Sequence, residues 1–388
     1  MISIANRLSG IGEYYFSQKL REIDQLNQQG KQIINLGIGS PDLPPHPSVI
    51  QVLQEESAKS NVHAYQSYKG SPVLRNAFAA WYEQWYGVSL DADTEILPLI
   101  GSKEGIMHIC MTYLNEGDIA LVPNPGYPTY RSAVKLAGGT CIDYSLEEAT
   151  GWQPDFQALD AIIKAHPRKV KLMWVNYPHM PTGQKADDVL LQALIDFGKR
   201  NDVLICHDNP YSFILNESPK SLLSVPGAKE VVIELNSLSK SHNMAGWRVG
   251  VIAGAADRIN EILRFKSNMD SGMFLPLQLA AAKALGLGKE WFDSVNEQYK
   301  KRQVKVFEIL DYLECSYAND QVGMFVWGKI PVSYKDAYEL SDKILYNANV
   351  FITPGGIFGK NGEAYIRISL CSTEDKLAES LKRIQSLK

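Results

Sequence analysis

From about residue 94 to residue 253 short β-rich runs alternate with helical stretches, and that alternation leaves few architectures open. Residues 94–100 read as a strand, followed by a helix at 102–115 with Ile106, Ile109, Cys110 and Tyr113 on one face. A strand at 119–122 precedes a helix at 128–137, and strands at 171–175 and 203–206 flank a helix at 186–200. Further strands fall at 231–235 and 249–253. Near-continuous apolar strands separated by helices imply an α/β fold, a mostly parallel sheet covered by helices on both faces. From about 257 the texture changes to helices at 257–268, 276–287 and 291–313, strands near 324–328 and 365–370, and a helix from 373. That pattern reads as a smaller α+β domain. Residues 14–29 form a helical pattern outside the alternating series, so the expected division is a large domain at 46–275 and a small one built from 1–45 plus 276–388.

Length and charge narrow the function. At ~150 residues per domain, 388 residues make about two or three folding units. The formal charge of −4 excludes the strongly basic balance of a chain devoted to nucleic acid or anionic membranes. No apolar stretch follows the first residues as in a secretory signal, and 275–288 is too short and too interrupted to span a bilayer. The five cysteines (110, 141, 206, 315 and 371) are an odd number without a CxxC pair, which fits reduced thiols in a cytoplasm. The histidines show no metal-binding spacing, so no metal is expected.

In doubly covered sheets ligands bind beyond the carboxyl ends of the strands. Those ends carry Gly101-Ser102-Lys103, Asn124-Pro-Gly-Tyr127, Asn176-Tyr-Pro, His207-Asp208-Asn-Pro-Tyr211 and Asn236-Ser237-Leu-Ser239-Lys240. Gly101-Ser102-Lys103 joins a strand to a helix start, where free N–H groups cradle a phosphate. The plainer reading is a serine helix cap. Asp208 ends a strand buried on both faces, either as half of a structural ion pair or as a carboxylate that holds a protonated ring nitrogen. Tyr211 offers a hydroxyl to the same ring. Most lysines are solvated, yet Lys240 lies among Ser237, Ser239 and Ser241 on a strand-end loop and is a candidate Schiff-base nucleophile. Arg248, eight residues on and beside glycines, fits a phosphate clamp. A phosphate cradle, a ring-nitrogen carboxylate, a phenol and a lysine are the parts that a pyridoxal 5'-phosphate site requires.

The run Ser237-Leu-Ser-Lys-Ser-His-Asn-Met-Ala-Gly-Trp-Arg-Val-Gly250 closely resembles the lysine signature of class I/II aminotransferases, the pyridoxal-phosphate fold type I family. Asn35-Leu-Gly-Ile-Gly-Ser-Pro-Asp42, Tyr65-Gln-Ser-Tyr-Lys-Gly-Ser-Pro-Val-Leu-Arg75 and Asn124-Pro-Gly-Tyr-Pro-Thr-Tyr130 are similar to that family too. So are Pro181-Thr-Gly183, Asp208-Asn-Pro-Tyr211 and Tyr365-Ile-Arg-Ile-Ser369, all in the family's order. Ser267-Asn-Met-Asp-Ser-Gly272 most resembles the branch of LL-diaminopimelate and methionine-type aminotransferases.

The resemblance implies an aminotransferase exchanging an amino group between an L-amino acid and a 2-oxo acid by a ping-pong mechanism. It implies roles as well. Lys240 would join the cofactor and shuttle the α-proton, Asp208 would pair with the ring nitrogen, Tyr211 would bond the ring phenolate, and Tyr127 would stack on the ring. Gly101, Ser102, Lys103, Ser237, Ser239 and Arg248 would hold the phosphate, with Tyr65 reaching it from the second subunit of a homodimer. Arg367 would grip the substrate carboxylate, unless it is an ordinary strand arginine, and Gly39 would let the backbone approach the substrate. Where the family reads Asn-Asn-Pro-Thr-Gly, this chain has His179-Met180-Pro-Thr-Gly183. Met180 cannot donate the hydrogen bond that the asparagine gives the phenolate. His179 or a water is left to take its place.

Three other readings were open to these motifs. A C–S lyase or decarboxylase on the same fold differs in whether 2-oxo acid forms only with an acceptor present. A non-catalytic module has Met180 as its sole support, and a borohydride-sensitive visible band tells against it. A nicotinamide dehydrogenase, suggested by Gly37-Ile-Gly39, fails because Asp42 stands where the third glycine belongs and Pro41 and Pro44 interrupt the helix start. Tyr14, Tyr15 and Asn268 are candidates to read the substrate side chain.

Overall fold

The computed structural model describes residues 2–9, 11–13 and 15–387. Seven strands form the main sheet in the order Ile96–Leu99, Gly250–Gly254, Val232–Ser237, Leu204–Asp208, Val170–Val175, Ile119–Asn124, Thr140–Ser145. All neighbours are parallel except those of Gly250–Gly254, which runs against both Ile96–Leu99 and Val232–Ser237. The sheet is therefore mostly parallel with one reversed strand, and the reversal matters. It brings the start of that strand, not its end, to the crevice edge, where Gly250 pairs with Leu99 and Ser237. Arg248 is delivered there from two residues upstream.

Alternate residues of each strand enter different cores, as a period of two requires. Leu204, Cys206, Ile233, Leu235 and Ile252 pack with Ile106, Ile109 and Ile262 on one face. Ile205, Val232, Val251 and Ala253 join the larger core on the other. Each fully buried Leu, Ile or Val contributes about 1.5–3 kcal/mol, so the sheet holds the crevice loops on a stiff floor.

Several elements were not expected from the sequence. Pro47–Ser57, Pro72–Tyr86, Phe156–Ala165 and Ala337–Ala348 are helices, and Thr140–Ser145 is an edge strand. A second sheet holds Phe325–Lys329, Tyr365–Ser369 and Thr353–Pro354, with Tyr365–Ser369 central and antiparallel to both neighbours. Ile34–Asn35 pairs in parallel with Val350–Phe351, which ties the first part of the chain to the last. Among the described residues no helix is long and apolar enough to cross a membrane.

Candidate functional site

A cleft of about 570 Å³ lies at the carboxyl ends of the parallel strands and is closed from above by the helix Tyr15–Gln28 and the second sheet. Lys240 is one of the residues that line it. The strand Val232–Ser237 ends in a single helical turn, Leu238–Ser241, capped by Ser237 Oγ, which accepts from the Ser239 N–H at 3.1 Å. The turn aims Lys240 Nζ at the Gly39 carbonyl, 2.6 Å away. Burial lowers the pKa of this amine; the Cys371 thiol opposes the shift, while Arg367 and Arg248 press it further down. Removing an ammonium from water favours the neutral form, the form that attacks carbon and takes protons.

Asp208 closes the strand Leu204–Asp208 and is 5% exposed. Tyr130 Oη donates to its Oδ2 at 2.8 Å, and the Tyr130 ring stacks on Trp174 at 5.0 Å. Oδ1 is buried with no hydrogen-bond partner among the described residues. Burial raises the carboxyl pKa to about 6, against the lowering effects of Tyr130 and His207. Tyr211 lines the cleft with its ring edge-on to Phe325 at 6.0 Å, and burial pushes its phenol well above the usual range. Tyr127, at the start of the helix Pro128–Leu136, sets its ring edge-on to Tyr130 at 5.5 Å.

A cationic corner forms where Ser102–Tyr113 begins. Gly101 has φ 81°, and a Cβ there would fall 2.1 Å from Arg248 Nη2, so only glycine lets the guanidinium reach the helix start. Arg248 is itself left-handed at φ 58° and anchors Nη1 on the Ala245 carbonyl at 3.0 Å. Burial and the nearby Arg248 both lower the Lys103 pKa. Ser102, Ser237 and Ser239 line the same wall. Free N–H groups, hydroxyls and fixed cations in one corner suit a phosphate.

Opposite this corner, Arg367 lies on the central strand of the second sheet, 4% exposed. Its Nη2 donates to the Gly37 carbonyl at 2.7 Å, and its Nη1 lies 3.2 Å from Met180 Sδ. Gly39 is required by close packing, since a Cβ would lie 2.1 Å from Phe325 Cζ.

The structure thus brings Gly39, Ser102, Lys103, Tyr127, Asp208, Tyr211, Ser237, Ser239, Lys240, Arg248 and Arg367 to one cleft, with Gly101 behind Arg248. Tyr65 is not among them and is 91% exposed. His179 stands apart as well: Thr182 Oγ1 holds its Nδ1 at 2.8 Å, and burial pushes its pKa down to about 3. It does not line the cleft. Of the side-chain readers expected, Tyr14 lies outside the described residues. Tyr15 packs toward Ile23, Leu345 and Phe351, away from the cleft, and Asn268 donates to the Arg264 carbonyl. Their neighbour Phe16 faces the cleft instead, with Ser17 and Leu20. Sequence reasoning also passed over Tyr130, three residues beyond Tyr127 on one helix, and Asn176. The Asn176 side chain bonds the Asp208 carbonyl and accepts from Met180 N at 2.7 Å. Its place directly after a buried strand was the available signal.

Known proteins resemble this chain along its whole length. The LL-diaminopimelate aminotransferase of Halothermothrix orenii is 39% identical over 384 residues, 98% of each chain. That of Aquifex aeolicus is 37% identical over 390 residues, covering both chains fully. The substrate-bound BacF structure from Bacillus subtilis superposes with a TM-score of 0.94 at 35% identity, over 100% of this chain and 98% of that one. The description "Aminotransferase class I and II" matches residues 31–384. With that match laid over the lysine, the carboxylate and the cationic corner, the chain belongs to the class I and II aminotransferases and is a pyridoxal-phosphate-dependent transaminase of fold type I.

Proposed function

We propose that Lys240 is the base and covalent anchor of this aminotransferase, that Asp208 and Arg248 hold the two ends of its cofactor, and that the working form is a cytoplasmic homodimer completed by Tyr65. When bound, pyridoxal phosphate supplies an aldehyde for amines and a protonated ring that draws electrons from the substrate's Cα. The observation that carries the assignment is Asp208 Oδ1. A buried carboxylate oxygen without a partner is costly unless a cation meets it, and a ring N–H fits. Ser102, Ser237, Ser239, Lys103 and Arg248 would take the phosphate, and Tyr211 the ring hydroxyl. Arg367 binds and orients the substrate carboxylate by its paired N–H groups. Lys240 Nζ, its pKa lowered by burial, takes the proton from Cα and returns it after the transfer. The Phe16 and Leu20 side of the cleft limits water.

The dimer rests on a surface. Tyr65, Tyr68, Met269 and Phe274 are exposed on two loops that pack together, with His63 stacked on Phe274 at 6.0 Å. Buried Lys266 ties these loops through Asp270 at 2.6 Å and the Tyr68 carbonyl at 3.2 Å. Exposed aromatic groups on a braced loop suit an isologous contact. The five free cysteines are consistent with a reducing compartment. The separate sheets support a division into two domains near 46–275 and 1–45 plus 276–388. The helix Leu275–Leu285 packs on Pro47–Ser57 and Pro72–Tyr86 of the large one, where its Gln278 Oε1 accepts from Ser71 N at 2.6 Å. Subunit mixing tests site and dimer together. Lys240→Ala and Tyr65→Ala chains, each weak alone at limiting cofactor, regain activity when refolded together. One intact site per mixed dimer gives about a quarter of the wild-type sites at statistical pairing. If mixing restores nothing, Tyr65 does not serve the neighbour's site.

Met180 changes the ring's surroundings. With His179 held on Thr182, Tyr211 is the donor this chain offers to the phenolate. With one donor fewer around the bound ring, Lys240 Nζ would hold its proton more firmly, because more charge would stay on the ring oxygen. One charge-assisted bond is worth about 1.5–3 kcal/mol, so Met180→Asn lowers the midpoint of the holoenzyme's visible-band titration by roughly one to two units. An unchanged midpoint means that a water already fills the position.

A further inference from the structure

We infer that the amino donor of this enzyme carries an apolar side chain, aromatic or branched, and that Phe16, Leu20 and Phe358 select it. The inference rests on the aminotransferase reading and extends it to the substrate.

The argument begins at the carboxylate anchor. The Arg367 Cζ lies 3.8 Å from the centroid of the Phe325 ring, 4.6 Å from that of Phe358 and 5.5 Å from that of Phe16. Met180 Sδ closes a fourth side. A guanidinium walled by rings is fixed and shielded from water, which strengthens its grip on a carboxylate. The same rings border whatever is attached to that carboxylate. With Cα held between Arg367 and Lys240, the side chain meets the part of the cleft that no cofactor or carboxylate role uses. On the side of the helix Tyr15–Gln28 and the second sheet that remainder is Phe16, Leu20, Ile38, Met180, Phe325 and Phe358 with the polar Ser17. Asn176, also in the lining, is engaged with the Asp208 carbonyl and Met180 N.

The helix Tyr15–Gln28 produces this wall. Phe16, Ser17 and Leu20 recur at helical spacing, so they share the face turned to the cleft. Among the described residues lining the cleft, the charged side chains are Lys103, Asp208, Lys240, Arg248 and Arg367, each already placed at the cofactor or the carboxylate. None is left for a distal group. The loop assigned to the second copy, residues 63–70, contains no carboxylate to receive a distal ammonium, and its one lysine, Lys69, is solvent-exposed in this chain.

Substrate chemistry then divides sharply. LL-diaminopimelate, for which the H. orenii and A. aeolicus relatives are named, ends in a second ammonium and a second carboxylate. Both would lose water against phenyl and isobutyl groups, with no counter-charge left for them among the described residues that line the cleft. Aspartate, glutamate and lysine meet the same penalty with one charge. Phenylalanine and leucine gain from the same surface.

The test mixes holoenzyme in single turnovers with L-phenylalanine, L-leucine, L-aspartate, L-lysine and LL-diaminopimelate, following the visible band without an acceptor. Apolar donors are expected to react with second-order constants about 10²-fold or more above the charged ones. Leu20→Arg, on a partly exposed helix position that tolerates substitution, should lower the constant for phenylalanine and raise that for aspartate. Binding is read separately by displacement of the band with 3-phenylpropionate and glutarate, where 3-phenylpropionate should bind tighter. Faster reaction of LL-diaminopimelate or aspartate overturns the inference and leaves the aminotransferase intact. If no donor reacts yet 3-phenylpropionate still outbinds glutarate, the selectivity stands and the transaminase assignment fails. Equal or tighter glutarate binding overturns the selectivity directly.

Discussion

Replacing Lys240 with alanine lowers amino transfer by about 10⁴-fold or more, because one atom, Nζ, both joins the cofactor and moves the α-proton. No neighbour can substitute. Lys103 lies in the cationic corner with Arg248, and Arg367 is held on the second sheet by the Gly37 carbonyl at 2.7 Å. The protein itself should tolerate the change. The amine is desolvated and gives up a single hydrogen bond to the Gly39 carbonyl, so truncation removes a burial penalty along with a contact. Urea unfolding of the apoprotein should therefore stay within about 1 kcal/mol of wild type. Borohydride treatment fixes cofactor on the peptide containing Lys240 in wild type and on no peptide in the variant. Lys240→Arg separates chemistry from charge: it keeps a cation near Gly39 and should be as inactive as alanine. Activity above about 1% in either variant would remove Lys240 from the catalytic role.

Lys240 was legible because the sequence marks it twice, by a serine-rich strand end and by the Gly-Trp-Arg-Val-Gly run behind it. Asp208 and Arg367 were legible for a related reason: a charge in an apolar strand must have a use. The central strands were equally plain, being buried on both faces and written in Val, Ile and Leu. What escaped is instructive. Thr140–Ser145 is the edge of the sheet and mostly exposed or half-buried, so its sequence carries no apolar run. Pro72–Tyr86 had clear punctuation, with Ser71 Oγ accepting from Leu74 N and Gly87 left-handed at φ 64°, but it lies outside the alternating series. The reversal of Gly250–Gly254 cannot be read from composition, since strand direction is set by how the chain returns. That reversal places Arg248 at the cationic corner beside Gly101. The side-chain wall was missed by one residue. Helix rotation turns Phe16 toward the cleft and Tyr15 toward Phe351, and periodicity alone leaves that choice open. Tyr65 faces solvent in the single chain, so nothing around it within this chain marks the role proposed for it.

Asp208→Asn should make the apoenzyme more stable and the holoenzyme less active, a pair of effects that an ordinary structural carboxylate does not give. Burial raises this carboxyl from 3.8 to about 6, so the folded state holds a proton that the unfolded chain releases. Between those two values the unfolded chain binds fewer protons, and stability falls as pH rises through that window. Above it the full penalty is present, about 3 kcal/mol for a shift of about two units. Asparagine keeps an oxygen for Tyr130 and carries no charge. The apo variant should therefore gain about 2–3 kcal/mol over wild type at pH 7.5 and only about half that at pH 5. Under the proposed role cofactor would reverse the balance, because Asp208 Oδ1 would then meet a ring N–H and the penalty would become binding. Wild type should gain more stability from pyridoxal phosphate than Asp208→Asn does. Turnover in the variant should fall by about 10²-fold or more, since a neutral amide does not hold the ring proton that draws electrons from Cα. Urea titrations of both apo and holo forms at the two pH values read the whole cycle. An apo variant less stable than wild type at pH 7.5 would mean that Oδ1 meets a cation within the protein itself, and Asp208 would lose its assignment as the ring-nitrogen partner.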